Sequence, residues 1–205
     1  MKFPEHVTMS FLVAQLGVQQ EFGFAGTALV VAAGCLPDLD SLTLLAGWRV
    51  YRKYHRVIGH GLPMTVLGPV LLALFGSTLL GASAFLFLWF WLQVALLLHL
   101  LTDVLFYNWP AQLLWPLSSR AWAASLLTWN DLVPTAVLYL ASLFCLLLPS
   151  QSLYFAVAGI GTLFLYLGWR MLRPRPLAGW GAWITGDWAA HSSWVWRWLT
   201  GDFIT

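Results

Sequence analysis

Long apolar runs alternate with short polar turns along most of this chain. A helix that crosses a bilayer needs about 20 mostly apolar residues. Four runs meet this requirement, and they cover residues 62–82, 84–106, 131–149 and 152–170. Short turns without a basic residue, at 81–83 and 149–151, join the members of each pair. The pattern therefore predicts four transmembrane helices in two hairpins.

The first 36 residues follow a less regular pattern. The stretches "HVTMSFLVAQLGVQQ" and "EFGFAGTALVVAAGCL" are both short, and the first contains three glutamines. We interpret them as a hairpin of two short helices that lies at least partly in the membrane. Pro4, Glu5 and His6 occupy positions where a signal peptide would have a basic and then an apolar region, so we expect this segment to be retained. The predicted fold is an all-α, polytopic membrane helix bundle that comprises residues 1–173.

Composition supports the membrane interpretation. The chain of 205 residues is 60% hydrophobic and 9% charged, whereas a soluble domain carries about 25% charged residues. The net charge of +2 is too small to suggest a nucleic-acid partner. Cys35 and Cys145 both lie in apolar runs, so we expect them to be membrane-core residues outside any disulfide.

The basic residues indicate an orientation. Lys and Arg favour the cytoplasmic side of a membrane, and threading the helices up and down places these residues on one face, which we assign to the cytoplasm. They are Arg49, Arg52, Lys53, Arg56, Arg120, Arg170, Arg173 and Arg175.

Rare ionisable residues fall on the same face. His6 begins the first short helix, the sequence "LPDLD" ends the second, and "HRVIGH" precedes the 62–82 helix. The 84–106 helix ends with a histidine and an aspartate, and the next helix opens with another aspartate. The candidate site residues are His6, Asp38, Asp40, His55, His60, His99, Asp103 and Asp131.

The spacings in this set suit a metal site. Residues four apart on a helix rise about 6 Å and share a face, so His99 and Asp103 can point at one centre. Residues two apart in an extended segment also share a side, which would turn Asp38 and Asp40 inward together. Imidazole and carboxylate ligands suit zinc or a similar divalent ion, and a set of this size can hold one or two ions.

Each motif taken alone also has an ordinary interpretation. A single histidine or aspartate at a helix end is commonly an interfacial residue, "LPDLD" reads as a helix stop with an acidic turn, and His55 with its arginines reads as a solvated basic loop. Their joint occurrence on one face favours a shared metal site.

The order of these motifs resembles a known family. "LPDLD", "HRVIGH", "HLLTD" and "LLWPL" (113–117) are together similar to the membrane-bound metal-dependent hydrolases, also described as LexA-binding inner-membrane-associated hydrolases. The resemblance covers about residues 1–135. It implies a multi-pass protein of the bacterial inner membrane, with phosphoester chemistry suggested by a relation to zinc-dependent phospholipase C enzymes.

The resemblance also implies a ligand set. The implied metal ligands are His6, Asp38, Asp40, His55, His60, His99 and Asp103. Arg56 is retained from the family motif His-Arg-Gly-x-Thr-His-Ser, whereas Val57, Gly59 and Gly61 replace its glycine, threonine and serine. The hydroxyl groups that would support the ligands are therefore missing here.

Our leading hypothesis is a metal-dependent hydrolase that acts on a lipid-borne phosphoester at the cytoplasmic interface. Asp40 or Asp131 would serve as general base, and Arg56 would hold the anionic substrate. An alternative is a metal-stabilised, non-catalytic scaffold that recruits a protein partner. A proton or ion pathway ranks last, because the outer halves of the helices offer few polar residues.

The C-terminal tail, residues 174–205, contains six of the 14 tryptophans. Tryptophan favours the membrane interface, so we predict a separate interfacial segment. We favour an anchoring role over a lid for this tail, and we expect Asp187 and His191 to be solvated.

Overall fold

The computed structural model describes residues 3–105, 110–124, 126–127 and 131–172. Its α-helices are α1 (Phe3–Ala14), α2 (Val18–Cys35), α3 (Trp48–Tyr54), α4 (Leu62–Leu80), α5 (Phe85–Val104), α6 (Leu132–Leu147) and α7 (Ser152–Leu172). The segments Pro37–Ala46, Ala82–Ala84 and Pro149–Gln151 are 3-10 helices. The described ranges contain no β-strand, and Ala111 and Trp122 form an isolated antiparallel bridge. The all-α prediction is confirmed.

Among the residues that the structure describes, three helices are long and apolar enough to cross a membrane. They are Leu62–Leu80, Ala82–Val104 and Pro149–Leu172. The pair Val18–Cys35 and Pro37–Ala46, bent by 60°, would form a fourth if it makes one span. The predicted 131–149 helix is shorter than expected, because α6 has 16 residues. At 1.5 Å per residue it reaches about 24 Å, less than the roughly 30 Å of the hydrocarbon core.

The short helix α1 lies at the centre of the bundle. Met9 and Leu12 pack against α6 and α7 in one apolar cluster. Val13 and Ala14 belong to a second cluster that includes residues of α2, α4 and α5. The predicted N-terminal hairpin is therefore present, and α1 joins two groups of helices instead of lying at the edge.

One end of the bundle collects the starts of α1 and α6 and the ends of α2, α5 and α7. The start of α1 contacts the end of α5 through His6 and Asp103, and the end of α5 contacts the end of α2 through His99. The start of α6 contacts the end of α7 through Asp131 and Tyr166. The connection 36–61 folds over the same end, and it contains the short helix α3, which the sequence pattern did not predict. The tail 174–205, with Asp187 and His191, lies outside the described residues, and its predicted role stays a prediction.

A glycine sets the close approach of α1 and α2 near this end. A Cβ added at Gly34 would lie 1.8 Å from the Ser10 hydroxyl oxygen and 2.8 Å from the Ser10 Cβ. The Ser10 hydroxyl donates a hydrogen bond of 2.7 Å to the His6 carbonyl, so this side chain is already committed. The two backbones can approach this closely only because residue 34 has no side chain.

We predict that Gly34→Ala lowers the free energy of unfolding by about 1–3 kcal/mol through overpacking. Thermal unfolding of the detergent-solubilised protein measures this change. Gly168→Ala in α7 is the matched control, because nothing lies within 4 Å of the added methyl group. Adding Ser10→Gly to Gly34→Ala should recover part of the loss, and equal stabilities for Gly34→Ala and Gly168→Ala would contradict the packing argument.

Candidate metal centre

Four residues at this end could hold a metal ion together. Asp38, His60, His99 and Asp103 each offer one ligand atom, and these atoms lie within 4.8 Å of one another. Asp38 comes from the 3-10 helix Pro37–Ala46, His60 precedes α4, and the other two lie one turn apart near the end of α5. Segments distant in sequence therefore converge on one point.

The tautomer of His99 leaves a nitrogen available to a cation. Its Nδ1 lies 2.6 Å from the carbonyl oxygen of Gly34, which can only accept, so Nδ1 carries the proton. The Nε2 atom is buried and has no hydrogen-bond partner. It lies 3.5 Å from Asp103 Oδ2 and 3.7 Å from Asp38 Oδ1. A lone pair that faces two carboxylates is unfavourable unless a cation or a proton lies between them.

The spacing of the donor atoms fits a small divalent ion. Ligands at the usual distances from tetrahedral zinc lie about 3.3 Å from one another. His60 Nε2 lies 3.1 Å from Asp103 Oδ2, and the two contacts of His99 Nε2 measure 3.5 and 3.7 Å. With all four ligand atoms within 4.8 Å of one another, this imidazole and carboxylate group could hold a divalent cation.

His60 lies between two carboxylates. Its Nδ1 donates to Asp40 Oδ2 at 3.1 Å, and its Nε2 faces Asp103. Burial alone would lower the pKa of His60, but the hydrogen bonds and negative charges of Asp103 and Asp40 outweigh it and raise the pKa. This environment favours positive charge at Nε2, whether a proton or a metal ion supplies it.

Asp40 supports the site from outside the group of four. Its Oδ1 accepts from His55 Nδ1 at 2.6 Å, and its Oδ2 accepts from the Arg56 backbone N–H at 2.8 Å and from His60 at 3.1 Å. With both oxygens engaged, Asp40 positions the imidazoles and is poorly suited to the predicted role of general base. Asp38 and Asp40 also face different groups, because their segment is a 3-10 helix and not the extended loop that we expected.

Close packing against the 3-10 helix explains the glycine at position 59. A Cβ there would lie 2.2 Å from the Pro37 carbonyl oxygen and 2.9 Å from Asp40 Oδ2. The loop therefore approaches the 3-10 helix too closely for a residue with a side chain at this position.

Arg56 binds a carboxylate of the cluster. Its Nη2 lies 2.8 Å from Asp103 Oδ2, and its Nη1 donates to the Asp103 carbonyl at 3.1 Å. Its backbone has a left-handed φ of 61°, and the Arg56 carbonyl accepts from Gln112 N–H at 2.9 Å. The side chain is 3% exposed. The structure thus directs this guanidinium at Asp103, and not outward as a substrate clamp.

His6 and His55 surround the group of four. The His6 ring stacks on His99 with centroids 3.6 Å apart, and its Nε2 lies 3.1 Å from Asp103 Oδ1. His55 contacts Asp40 and stacks on Tyr51 with centroids 4.5 Å apart. Both were predicted as possible ligands, and the structure places both beside the ligand group.

Asp131 caps a helix. Its Oδ1 accepts from Val133 N–H at 3.2 Å at the start of α6, and its Oδ2 accepts from the Tyr166 hydroxyl at 2.6 Å. It is not one of the four residues whose ligand atoms cluster. These contacts give Asp131 a structural role at the start of α6, and its role as general base stays a prediction.

Some groups that support the cluster were hard to find from the sequence pattern. Glu5 is 3% exposed and accepts a hydrogen bond from the Thr135 hydroxyl, so it ties α1 to α6 beside His6. The Gly34 carbonyl orients His99. The one feature of the sequence that pointed to this contact was the position of the glycine, three residues before the "PDLD" motif. Tyr166 had no signal of this kind.

The charges of the cluster favour a divalent cation. Asp38, Asp40 and Asp103 contribute three carboxylates, and Arg56 contributes one guanidinium. With neutral imidazoles, these residues have an excess of two negative charges. Buried charge without compensation is costly, and one divalent ion would balance it.

Comparison with known proteins gives the family. The model of the YdjM inner membrane protein family matches residues 1–177, a range that includes α1 to α7 and every residue of the cluster. Neither the curated proteins nor the solved structures compared with the chain gave a match. The chain belongs to the YdjM inner membrane protein family.

Proposed function

We propose that this protein is a membrane-embedded, metal-dependent hydrolase that acts on a lipid-borne phosphoester at the cytoplasmic interface. The observation that carries the proposal is the buried His99 Nε2, which has no hydrogen-bond partner and faces the carboxylates of Asp38 and Asp103. A site of this kind inside an inner-membrane protein has lipids as its nearest substrates.

In the hydrolase, His60, His99 and Asp103 would hold the ion and Asp38 would stay unbound at the accessible edge, whereas in a closed structural site all four residues would be ligands. Zinc is the favoured metal for a mixed imidazole and carboxylate set, and ligand atoms this close suit a single ion. A bound divalent cation would supply a water ligand of pKa near ~7 and polarise a phosphoryl oxygen.

Asp38 is the best candidate for proton transfer. Its side chain is 14% exposed, whereas those of His60, His99 and Asp103 are 0 to 1% exposed. The 3-10 helix therefore offers the accessible edge of the site. Because Asp40 accepts three hydrogen bonds and Asp131 caps α6, Asp38 replaces both as the proposed general base.

The substrate would meet positive charge outside the site. Arg52 and Lys53 are exposed on α3, close in sequence to His55 and His60. Such residues can attract an anionic headgroup while Arg56 stays on Asp103. Their position at the site end of the bundle, together with the positive-inside rule, supports a multi-pass topology with the site facing the cytoplasm.

The alternative is a metal-stabilised scaffold that recruits a protein partner without catalysis. The near-complete burial of three of the four candidate ligands favours this reading. A structural site has its coordination completed by protein atoms, whereas a catalytic site keeps a position for water. X-ray absorption spectroscopy of the zinc-loaded protein would count the ligands and separate the two functions.

We predict that His99→Asn weakens zinc binding at least about 100-fold, since loss of a ligand exceeds the roughly 10–100-fold effect of losing a supporting partner. The asparagine amide can still donate to the Gly34 carbonyl, so the fold is preserved while the metal-facing nitrogen is removed. Metal analysis and competition with a zinc chelator measure the affinity. Glu21→Gln, an exposed carboxylate on α2, is the control that should bind normally, and normal binding by His99→Asn would refute the ligand role.

We predict that Asp40→Asn weakens zinc binding by about 10–100-fold, because the amide cannot accept all three hydrogen bonds that hold His55, Arg56 and His60. The same competition assay applies. A loss as large as that in His99→Asn would show instead that Asp40 is itself a ligand.

We predict that the zinc-loaded protein in nanodiscs hydrolyses a phosphoester in a screen of phospholipids and isoprenoid phosphates, detected by mass spectrometry. Asp38→Asn should reduce the rate at least about 100-fold through loss of the general base. Glu21→Gln should keep the wild-type rate. Tight zinc binding with no turnover of any substrate, together with four protein ligands, would favour the scaffold.

A further inference from the structure

The 3-10 helix Pro37–Ala46 has an exposed apolar stripe. Side chains three residues apart eclipse one another in a 3-10 helix, so Leu39, Leu42 and Leu45 share a face. They are 51%, 62% and 88% exposed, whereas Asp40 on another face is 8% exposed. One side of this helix thus supports the metal cluster, and another presents leucines to the surroundings.

The next helix, α3, adds a basic face. Arg49, Arg52 and Lys53 are all exposed, and α3 has no acidic residue. Their spacing of three and four residues places them on one side of the helix. The segment 37–54 therefore combines an apolar stripe with a positive face.

The chain changes direction between α2 and the 3-10 helix. The 3-10 helix is bent by 60° from α2, which runs along the bundle. If α2 follows the membrane normal, the 3-10 helix is inclined toward the membrane plane at the end of the bundle where the spans terminate. Leucines at that level can enter the acyl region, and neighbouring cations can bind lipid phosphates.

We infer that the segment 37–54 docks onto the anionic phospholipid surface of the leaflet at the site end of the bundle. The charge of the segment favours anionic lipid over a soluble partner. α3 has three exposed cations and no anion, and it lies beside apolar residues at the membrane boundary. The inference goes beyond the proposed function and holds whether or not the metal cluster is catalytic. Because Asp38 lies on the same 3-10 helix, docking would hold the accessible edge of the cluster at headgroup level.

The test is a depth measurement on the full chain in nanodiscs. A nitroxide is attached to Leu45→Cys in a Cys35→Ala/Cys145→Ala background, and its accessibility to oxygen and to a water-soluble nickel complex is compared. The lipids are phosphatidylcholine alone or mixed with phosphatidylglycerol. A label at Leu165→Cys on α7, where the native leucine is 77% exposed, is the reference for a lipid-facing position and for correct folding.

We expect the Leu45 label to contact oxygen and avoid nickel in anionic nanodiscs. Arg49→Gln/Arg52→Gln/Lys53→Gln should lower the equilibrium constant for docking roughly 100-fold, because each basic residue contributes about fivefold. High salt should act in the same direction, and the Leu165 label should not change.

Three results would overturn the inference. The first is a Leu45 label accessible to nickel in every lipid, which places the stripe in water. The second is equal depth in neutral and anionic nanodiscs, which removes the role of lipid charge. The third is protection from both reagents, which indicates a protein contact. None of these results depends on metal content or turnover, so failure here is distinguishable from failure of the proposed hydrolase.

Discussion

A buried carboxylate at the end of α5 holds the functional end of this bundle together. Asp103 is 1% exposed and contacts the Arg56 guanidinium, His60 and His6. These partners come from the loop after α3, the segment before α4, and α1. Breaking a buried ion pair by removing one partner typically costs about 3–5 kcal/mol, so each segment is constrained to reach this point. The convergence of distant parts of the chain follows from the need to compensate one charge.

The coarse architecture could be read from the sequence because the bilayer imposes a simple rule. Spans must be long, apolar and helical, and α4, α5 and α7 follow directly from their hydropathy. The pairing of His99 with Asp103 was equally accessible, since helix geometry alone places residues four apart on one face. The length of α6 was overestimated, because Asp131 turned out to cap the helix and the helix ends at Leu147.

The division of roles among the polar residues could not be read from the sequence, because it depends on backbone detail and long-range packing. Asp38 and Asp40 separate because their segment is a 3-10 helix. Arg56 turns to Asp103 because its backbone adopts a left-handed conformation that Asp40 and Gln112 hold in place. The tautomer of His99 is set by a backbone carbonyl of another helix, at Gly34. No local pattern encodes these three contacts.

The charge of the cluster links the metal to the membrane surface. Three carboxylates and one guanidinium have two negative charges in excess, and a proton on His60, whose pKa the carboxylates raise, would balance one of them. A divalent cation balances both and also satisfies the buried His99 Nε2. The ten-residue 3-10 helix that contributes Asp38 also carries the leucine stripe. The inferred docking would therefore place one side of this helix on the leaflet and another side on the cluster. Lipid phosphate bound beside α3 would approach the cluster from Asp38, its partly exposed member, and this is the approach that the proposed hydrolase requires.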